Sequence, residues 1–257
     1  LLIGAGIGLV HGVLIGYANM QPFIVTLCGL MGYRGLARLV SDDRPLGLGQ
    51  HHESIRYLAD GEPLSVPVPF IESIAGTGDT GGGFLSWVAI PMPLIVFLAL
   101  SVLGAILLHK TVLGRYLLAM GRNSEAARFS GIDTRRMTVV AYVLCSVLAA
   151  LGGVLFALDL GSIQPSNSGN FYELYAIAAA VLGGCALRGG VGSIAGVVVG
   201  TAVIRTLYNA INLLDKPAYW QFIIIGLVLL VGVMIDEIGR QVINRVKTRR
   251  RRKMLTK

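Results

Sequence analysis

The sequence predicts an all-α membrane protein, a polytopic helical bundle whose helices pack through glycine. Only 14% of the 257 residues are charged, against about 25% in soluble domains, and the mean hydropathy is +0.70. Several apolar runs are long enough to cross the roughly 30 Å hydrocarbon core as helices. These runs are continuous, whereas a membrane β-barrel strand alternates apolar and polar residues, so the pattern favours helices.

About seven membrane segments follow one another along the chain. The second contains Arg34 and Arg38 and is the weakest by composition. The fifth is short, so we expect it to be tilted, broken or shielded by its neighbours. The seven segments are predicted at residues 1–18, 22–40, 87–108, 137–158, 173–187, 191–214 and 218–236.

Glycine recurs at helical spacing in the first and sixth segments. The chain has 34 glycines among its 257 residues, well above the share of roughly 7% that is usual for glycine. Small residues at every fourth position let membrane helices approach closely, so we expect tight helix contacts there. The three cysteines lie in apolar runs and are expected to be small packing residues. The glycine series are Gly4, Gly8, Gly12 and Gly16, and Gly192, Gly196 and Gly200.

Lysine and arginine predict the orientation of the chain. The loop 109–136 is basic and the tail 237–257 contains RRRRK at 249–253, so both are expected on the cytoplasmic side. The loop 41–86 is acidic and is expected outside. The interpretation is one membrane domain, 1–257, with a cytoplasmic C-terminus. The net charge of +8 then indicates topology and contact with anionic lipid rather than with nucleic acid.

A polar segment, GRNSEAARFSGID at residues 121–133, lies between two apolar runs. Asn123 or Ser124 can cap a helix start, and Gly131 suits its end. Glu125 and Arg128 complement the helix dipole. A helix of about seven residues is marginal in water. From the residues alone, two interpretations stay open: the segment rests on the membrane surface, or it docks into a cytoplasmic partner.

Several blocks of sequence resemble one family of bacterial membrane proteins. They resemble the permease subunits of ATP-binding-cassette importers for simple sugars, the ribose permease group, which is related to branched-chain amino acid permeases. The blocks occur in the family order over nearly the whole chain. They are GRYLLAMGRNSEAARFSGID at 114–133, QPFIVTL at 21–27, RGLA at 34–37, QP at 164–165, YELYAIAAAVLGG at 172–184, RGGVGSIAG at 188–196, YNAINLL at 208–214 and YWQ at 219–221.

The resemblance implies a permease subunit in the bacterial inner membrane that moves a monosaccharide by alternating access. The implied partners are a separate ATPase subunit, an extracytoplasmic sugar-binding protein and a second permease copy, identical or paralogous. The sequence has no G-x-x-x-x-G-K-[ST] motif, so we expect no catalytic residue and no cofactor on this chain, with ATP on the partner. The residues implied to couple to the ATPase are Gly121, Asn123, Glu125, Ala126, Ala127, Arg128 and Gly131, and Glu125→Arg or Ala127→Trp is expected to uncouple transport.

The chain departs from the family pattern at two places. It begins inside an apolar run, without the Gly-Ile-Asp-Leu-Ser motif that precedes this point in the family, so it is expected to be N-terminally incomplete relative to it. Tyr175 stands where many relatives carry Asp, so the resemblance does not name the sugar.

Polar residues in the late segments are candidates for the translocation pathway. Thr201, Arg205, Asn209 and Asn212 form one stripe on a helix, which indicates either a lined pathway or pairing between helices. In the second interpretation Arg205 snorkels or pairs with Asp215 or Glu173. Tyr172, Tyr175, Tyr219 and Trp220 could offer aromatic faces to a sugar or form an interfacial belt. The pathway residues we predict are Gln164, Glu173, Asn209, Asn212 and Gln221.

The sequence is less compatible with other functions. A permease for branched-chain amino acids or nucleosides shares the glycine blocks, although the YNAINLL and YWQ blocks favour sugar. An ion-coupled secondary transporter would need acids or His at the membrane midplane, and only His11 lies clearly within a predicted span. The sequence contains neither an H-E-x-x-H motif nor a G-x-S-x-G motif, so no such motif supports an intramembrane enzyme. The HHE at 51–53 offers too few ligands for us to predict a metal site.

Overall fold

The computed structural model describes residues 1–47, 64–67, 87–214, 217, 219–228, 230–232 and 234. In chain order the elements are α1 (Leu2–Gly16), α2 (Pro22–Ser41), β1 (Leu46–Gly47), β2 (Leu64–Pro67), β3 (Trp87–Ile90), α3 (Met92–Lys110), α4 (Val112–Arg122), α5 (Ser124–Phe129), α6 (Thr134–Leu160), β4 (Ser162–Ile163), α7 (Tyr172–Leu182), α8 (Ile194–Leu213) and α9 (Tyr219–Gly232).

Each of the seven predicted membrane segments overlaps a helix of the described chain, which confirms the all-α membrane fold. By length and composition, α2, α3, α6 and α8 can cross a membrane. The helices α1, α7 and α9 are apolar but shorter. At 27 residues α6 is about 40 Å long, more than the hydrocarbon core requires. Its Gly161 C-cap ends it in the left-handed region with φ 66°.

The third predicted segment was placed too early. Residues 87–108 were expected to be helical, but Trp87–Ile90 form β3, which pairs with β2 in antiparallel register, and the helix begins at Met92. Pro91 explains the difference, because a proline disfavours helical geometry in the residue before it. Within the acidic loop 41–86, the structure describes only residues 41–47 and 64–67. The basic tail 237–257 lies outside the described residues.

The contacts divide the described chain into two compact units, and the prediction of a single domain stays a prediction. The first unit is Leu1–Leu103 with Asp133–Ser168. The second is Gly104–Ile132 with the described residues from Gly169 onward.

The first unit is built on a close seam between α1 and α6. A Cβ added at Gly8 would lie 2.7 Å from both the carbonyl oxygen of Tyr142 and Cα of Val143. A Cβ on Gly12 would be 2.7 Å from Cα of Val139. The backbones therefore meet where glycine leaves room, as the four-residue spacing predicts.

Arg38 ends α2 inside the first unit. Its Nη2 donates to the carbonyl oxygen of Ser166 at 3.2 Å, and its Nε is 4.0 Å from a carboxylate oxygen of Asp43. β1, which follows α2 in the chain, pairs with the distant β4 in antiparallel register, with Leu46 opposite Ile163. The second segment is thus a full helix although it contains arginines. Arg38 lies in its last turn, where the Ser166 carbonyl and the Asp43 carboxylate are close to its guanidinium.

In the second unit α7 packs on α8 through glycine. A Cβ on Gly196 would collide with the carbonyl oxygen of Gly183, and one on Gly200 with that of Ala179. A small core of Ala178, Ala179 and Ile204 fills the contact. Partly buried side chains from α7 and α9 cover this core, namely Tyr175, Ile225 and Val228.

Candidate functional site

The polar segment folds as a separately capped helix, α5. Asn123 is its N-cap, and its Oδ1 accepts a hydrogen bond from the backbone N–H of Ala126 at 3.0 Å. Glu125 lies in the first turn and Arg128 in the last, so both charges complement the helix dipole. Of the two N-caps that the sequence allowed, the structure selects Asn123.

The C-terminal end of α5 is a Schellman motif. The N–H of Ile132 donates to the carbonyl of Ala127 at 3.1 Å, and the N–H of Gly131 donates to that of Arg128 at 3.0 Å. Gly131 has φ 84°, a left-handed conformation that costs glycine no steric strain. Both ends of this six-residue helix are therefore satisfied locally, which compensates for its short length.

α5 presents most of its polar side chains to its surroundings. Asn123, Glu125, Ala126, Arg128 and Gly131 are exposed, and Gly121 is half-buried. Ala127 is only 5% exposed, whereas Phe129 is 91% exposed. Ala127 thus packs within the chain, and Phe129, which the sequence interpretation did not single out, is a large apolar side chain without cover.

The start of the polar segment contacts the loop between α7 and α8. Gly121 touches Gly190 so closely that a Cβ on Gly121 would collide with its backbone nitrogen. The Nε of Arg122 donates to the carbonyl oxygen of Gly190 at 3.2 Å. Gly189 and Gly190 have φ values of 86° and 80°, so the loop conformation itself requires glycine. The polar segment is in this way attached to the helix pair α7–α8.

A cavity of about 430 Å³ lies among α7, α8 and α9 in the same unit. This volume falls within the range of small-molecule sites. Its described lining combines aromatic and polar side chains with three apolar ones from α7 and α8. It consists of Asn170, Tyr172, Tyr175, Ala176, Ala179, Thr201, Ile204, Arg205, Tyr208 and Gln221.

Two side-chain contacts connect α9 to the other cavity elements. Gln221 is only 7% exposed, and its Nε2 donates to Oδ1 of Asn212 at 3.3 Å. Phe171, which precedes α7 with a positive φ of 63°, packs edge-on against Phe222 with ring centroids 5.3 Å apart. These contacts hold the first turn of α9 beside α8 and the start of α7.

The structure brings together only part of the predicted pathway set. Gln221 lines the cavity and binds Asn212. Glu173 and Asn209 are exposed and are not among the described lining residues. Gln164 belongs to the other compact unit, where its backbone N–H donates to Oγ of Ser168 at 3.1 Å. The assignment of these five residues to a pathway stays a prediction.

Tyr208 is the main lining residue that sequence reasoning missed. Thr201, Ile204, Arg205 and Tyr208 fall at i, i+3, i+4 and i+7, the spacing of one helix face. The predicted stripe followed polar residues to Asn209 and Asn212 instead. Including aromatic hydroxyls as polar groups would have identified Tyr208.

Of the aromatic residues considered for a sugar, Tyr172 and Tyr175 line the cavity. Tyr219 and Trp220 are exposed and do not belong to the described lining. No group of three His, Cys, Asp or Glu that could hold a metal ion occurs among the residues that the structure describes. The HHE at 51–53 lies outside them.

Several curated proteins that are similar to the chain are named as sugar permeases. The ribose import permease protein RbsC of Escherichia coli K12 is 36% identical over 238 residues, which are 92% of this chain and 66% of the relative. The L-arabinose transport system permease protein AraH of the same strain is 34% identical over 88% of this chain and 61% of its own length. The xylose transport system permease protein XylH of Haemophilus influenzae is 43% identical over 57% of this chain and 39% of its own length.

The chain spans just under two thirds of the length of the ribose permease that it matches. No solved structure matches it. The model of one family, described as "Branched-chain amino acid transport system / permease component", matches residues 1–233. The match covers most of the chain, and the apolar helices with close glycine contacts agree with it. The chain therefore belongs to this family of transport permease components and is a multi-pass membrane protein.

Proposed function

We propose that the chain is the transmembrane permease subunit of an ATP-binding-cassette importer for a monosaccharide in a bacterial inner membrane. The similar ribose, arabinose and xylose permeases support a sugar as the transported molecule. The cavity in the second unit, with its tyrosine and amide side chains, has the size and chemistry that a small polyhydroxylated molecule needs.

The observation that carries the proposal is α5. A helix this short is capped at both ends and presents Phe129 almost fully exposed, which is the form of an element made to dock into another protein. The proposed partner is a separate ATPase subunit, since the sequence contains no P-loop motif. Closure of the ATPase would move α5 and, through the contact of Gly121 with Gly190, the helices α7 and α8.

The remaining partners and the orientation follow from the same proposal. The basic loop 109–136 and the tail 237–257 face the cytoplasm, and the acidic loop 41–86 faces outward, where it can receive a sugar-binding protein. A second permease copy, identical or paralogous, completes the membrane domain, and the basic tail lies on anionic lipid.

Reconstitution tests the proposal. The permease is placed in proteoliposomes with a candidate ATPase subunit, and ATP hydrolysis is measured with and without a candidate sugar-binding protein loaded with sugar. We expect hydrolysis to rise when the loaded protein is added and sugar uptake to require ATP. Uptake without ATP, or hydrolysis indifferent to the binding protein, would refute the importer.

A further inference from the structure

The cavity among α7, α8 and α9 has a polar lining suited to hydroxyl groups. Tyr172, Tyr175 and Tyr208 each carry a phenolic group that can both donate and accept hydrogen bonds. The side-chain N–H of Gln221 donates a hydrogen bond to Asn212, and its side-chain carbonyl oxygen can accept one from another partner. A small polyhydroxylated molecule is therefore a chemically suitable occupant.

The cavity lining also carries a formal positive charge. Arg205 is the one ionised residue of the described lining, which contains no carboxylate. Glu173, one of the two acids expected to pair with it, forms no ion pair with Arg205 among the described residues, and Asp215 lies outside them. The lining thus combines hydroxyl-binding groups with one positive charge.

A cation in such a place favours a particular ligand. Arg205 is exposed, so its guanidinium is accessible to a ligand that enters the cavity. The planar guanidinium of Arg binds a carboxylate through two parallel hydrogen bonds, a geometry that a neutral hydroxymethyl group cannot match. A ligand with hydroxyl groups and one carboxylate satisfies both parts of the lining.

We infer that this cavity binds a sugar acid, with the carboxylate on Arg205 and the sugar hydroxyls on the tyrosine and amide side chains. The inference rests on the proposed function and deepens it, because it changes the transported class from neutral monosaccharides to acidic ones. It gives Arg205 a role in selecting the substrate.

The test compares two sugars that differ in one group. The full-length permease is placed in nanodiscs of phosphatidylcholine, and binding of radiolabelled D-galacturonate and D-galactose is measured. Galacturonate is expected to bind about tenfold more tightly. Arg205→Gln should abolish this preference, Arg205→Lys should retain part of it, and Arg115→Gln, which removes an exposed arginine outside the cavity lining, should leave it unchanged.

Three results would overturn the inference. They are galactose binding as tightly as galacturonate, a preference for galacturonate that persists in Arg205→Gln, and no detectable binding of either sugar. A further arm uses nanodiscs that contain phosphatidylglycerol. If anionic lipid removes the preference, a lipid phosphate neutralises Arg205 and the sugar acid is excluded as its partner.

This test is separate from that of the importer. Binding to the isolated permease needs neither ATP nor the ATPase. Equal binding of both sugars, together with binding-protein-stimulated ATP hydrolysis, would refute the sugar acid alone. Failure of hydrolysis and of ATP-dependent uptake would refute the importer whatever the permease binds.

Discussion

Phe129 and Ala127 of α5 have opposite surroundings, one exposed and one buried. Ala127 is 5% exposed and is covered by the chain itself, so the Ala127→Trp substitution expected to uncouple transport without unfolding would first disturb the local packing. Phe129, 91% exposed, carries the apolar surface that a partner can bury. Truncating such an aromatic anchor costs about 2 kcal/mol or more where it fills a pocket.

Gly190 offers a test of how the polar segment acts on the cavity helices. Gly184 and Gly190 have nearly equal φ values of 79° and 80°, so alanine suffers the same backbone strain at both. A Cβ at Gly184 meets nothing within 4 Å, whereas one at Gly190 would lie 2.5 Å from the backbone nitrogen of Arg122. Comparing the Gly184→Ala and Gly190→Ala variants therefore separates the effect of backbone strain from the effect of the contact with Arg122.

We predict that Gly190→Ala lowers sugar uptake per ATP hydrolysed by about fivefold, the factor that one lost hydrogen bond of about 1 kcal/mol represents. Gly184→Ala should not change this ratio. Both quantities are measured in the same proteoliposomes. An equal effect of the two substitutions would mean that loop strain, and not the contact with Arg122, is responsible.

At the scale of elements, α1 and α6 form the tightest helix pair of the first unit. The spacing of Gly4, Gly8, Gly12 and Gly16 predicts a close seam, and the structure places all four against α6. Which helix lies opposite could not be predicted, because small-residue patterns indicate close approach without naming the partner.

The seam makes a prediction about stability. Gly8→Ala should destabilise the permease by about 1–3 kcal/mol, since its Cβ would overlap the backbone of α6 at Tyr142 and Val143. Gly6→Ala, two residues away with nothing within 4 Å, should be neutral or slightly stabilising because alanine is the better helix former. The measurement is the Tm of the purified protein in detergent. Equal Tm values for the two variants would exclude the close seam.

For the whole molecule, the sequence predicted what depends on local pattern and missed what depends on packing. Length and hydropathy placed seven helices, and cap chemistry located α5 to within a residue or two. The strand before Pro91 was missed because a continuous apolar run does not distinguish strand from helix. The cavity lining needed the partner of each helix, so Tyr208 was overlooked while Asn209 was chosen.

Cross-linking from position 129 tests directly whether α5 docks into an ATPase subunit, as proposed. A photoreactive phenylalanine analogue replaces Phe129 in one variant and Phe23, which is 68% exposed on α2, in a control. In membranes that contain both subunits, we predict a permease–ATPase adduct from position 129 and none from position 23. Adducts from position 129 with lipid or permease alone would contradict the claim.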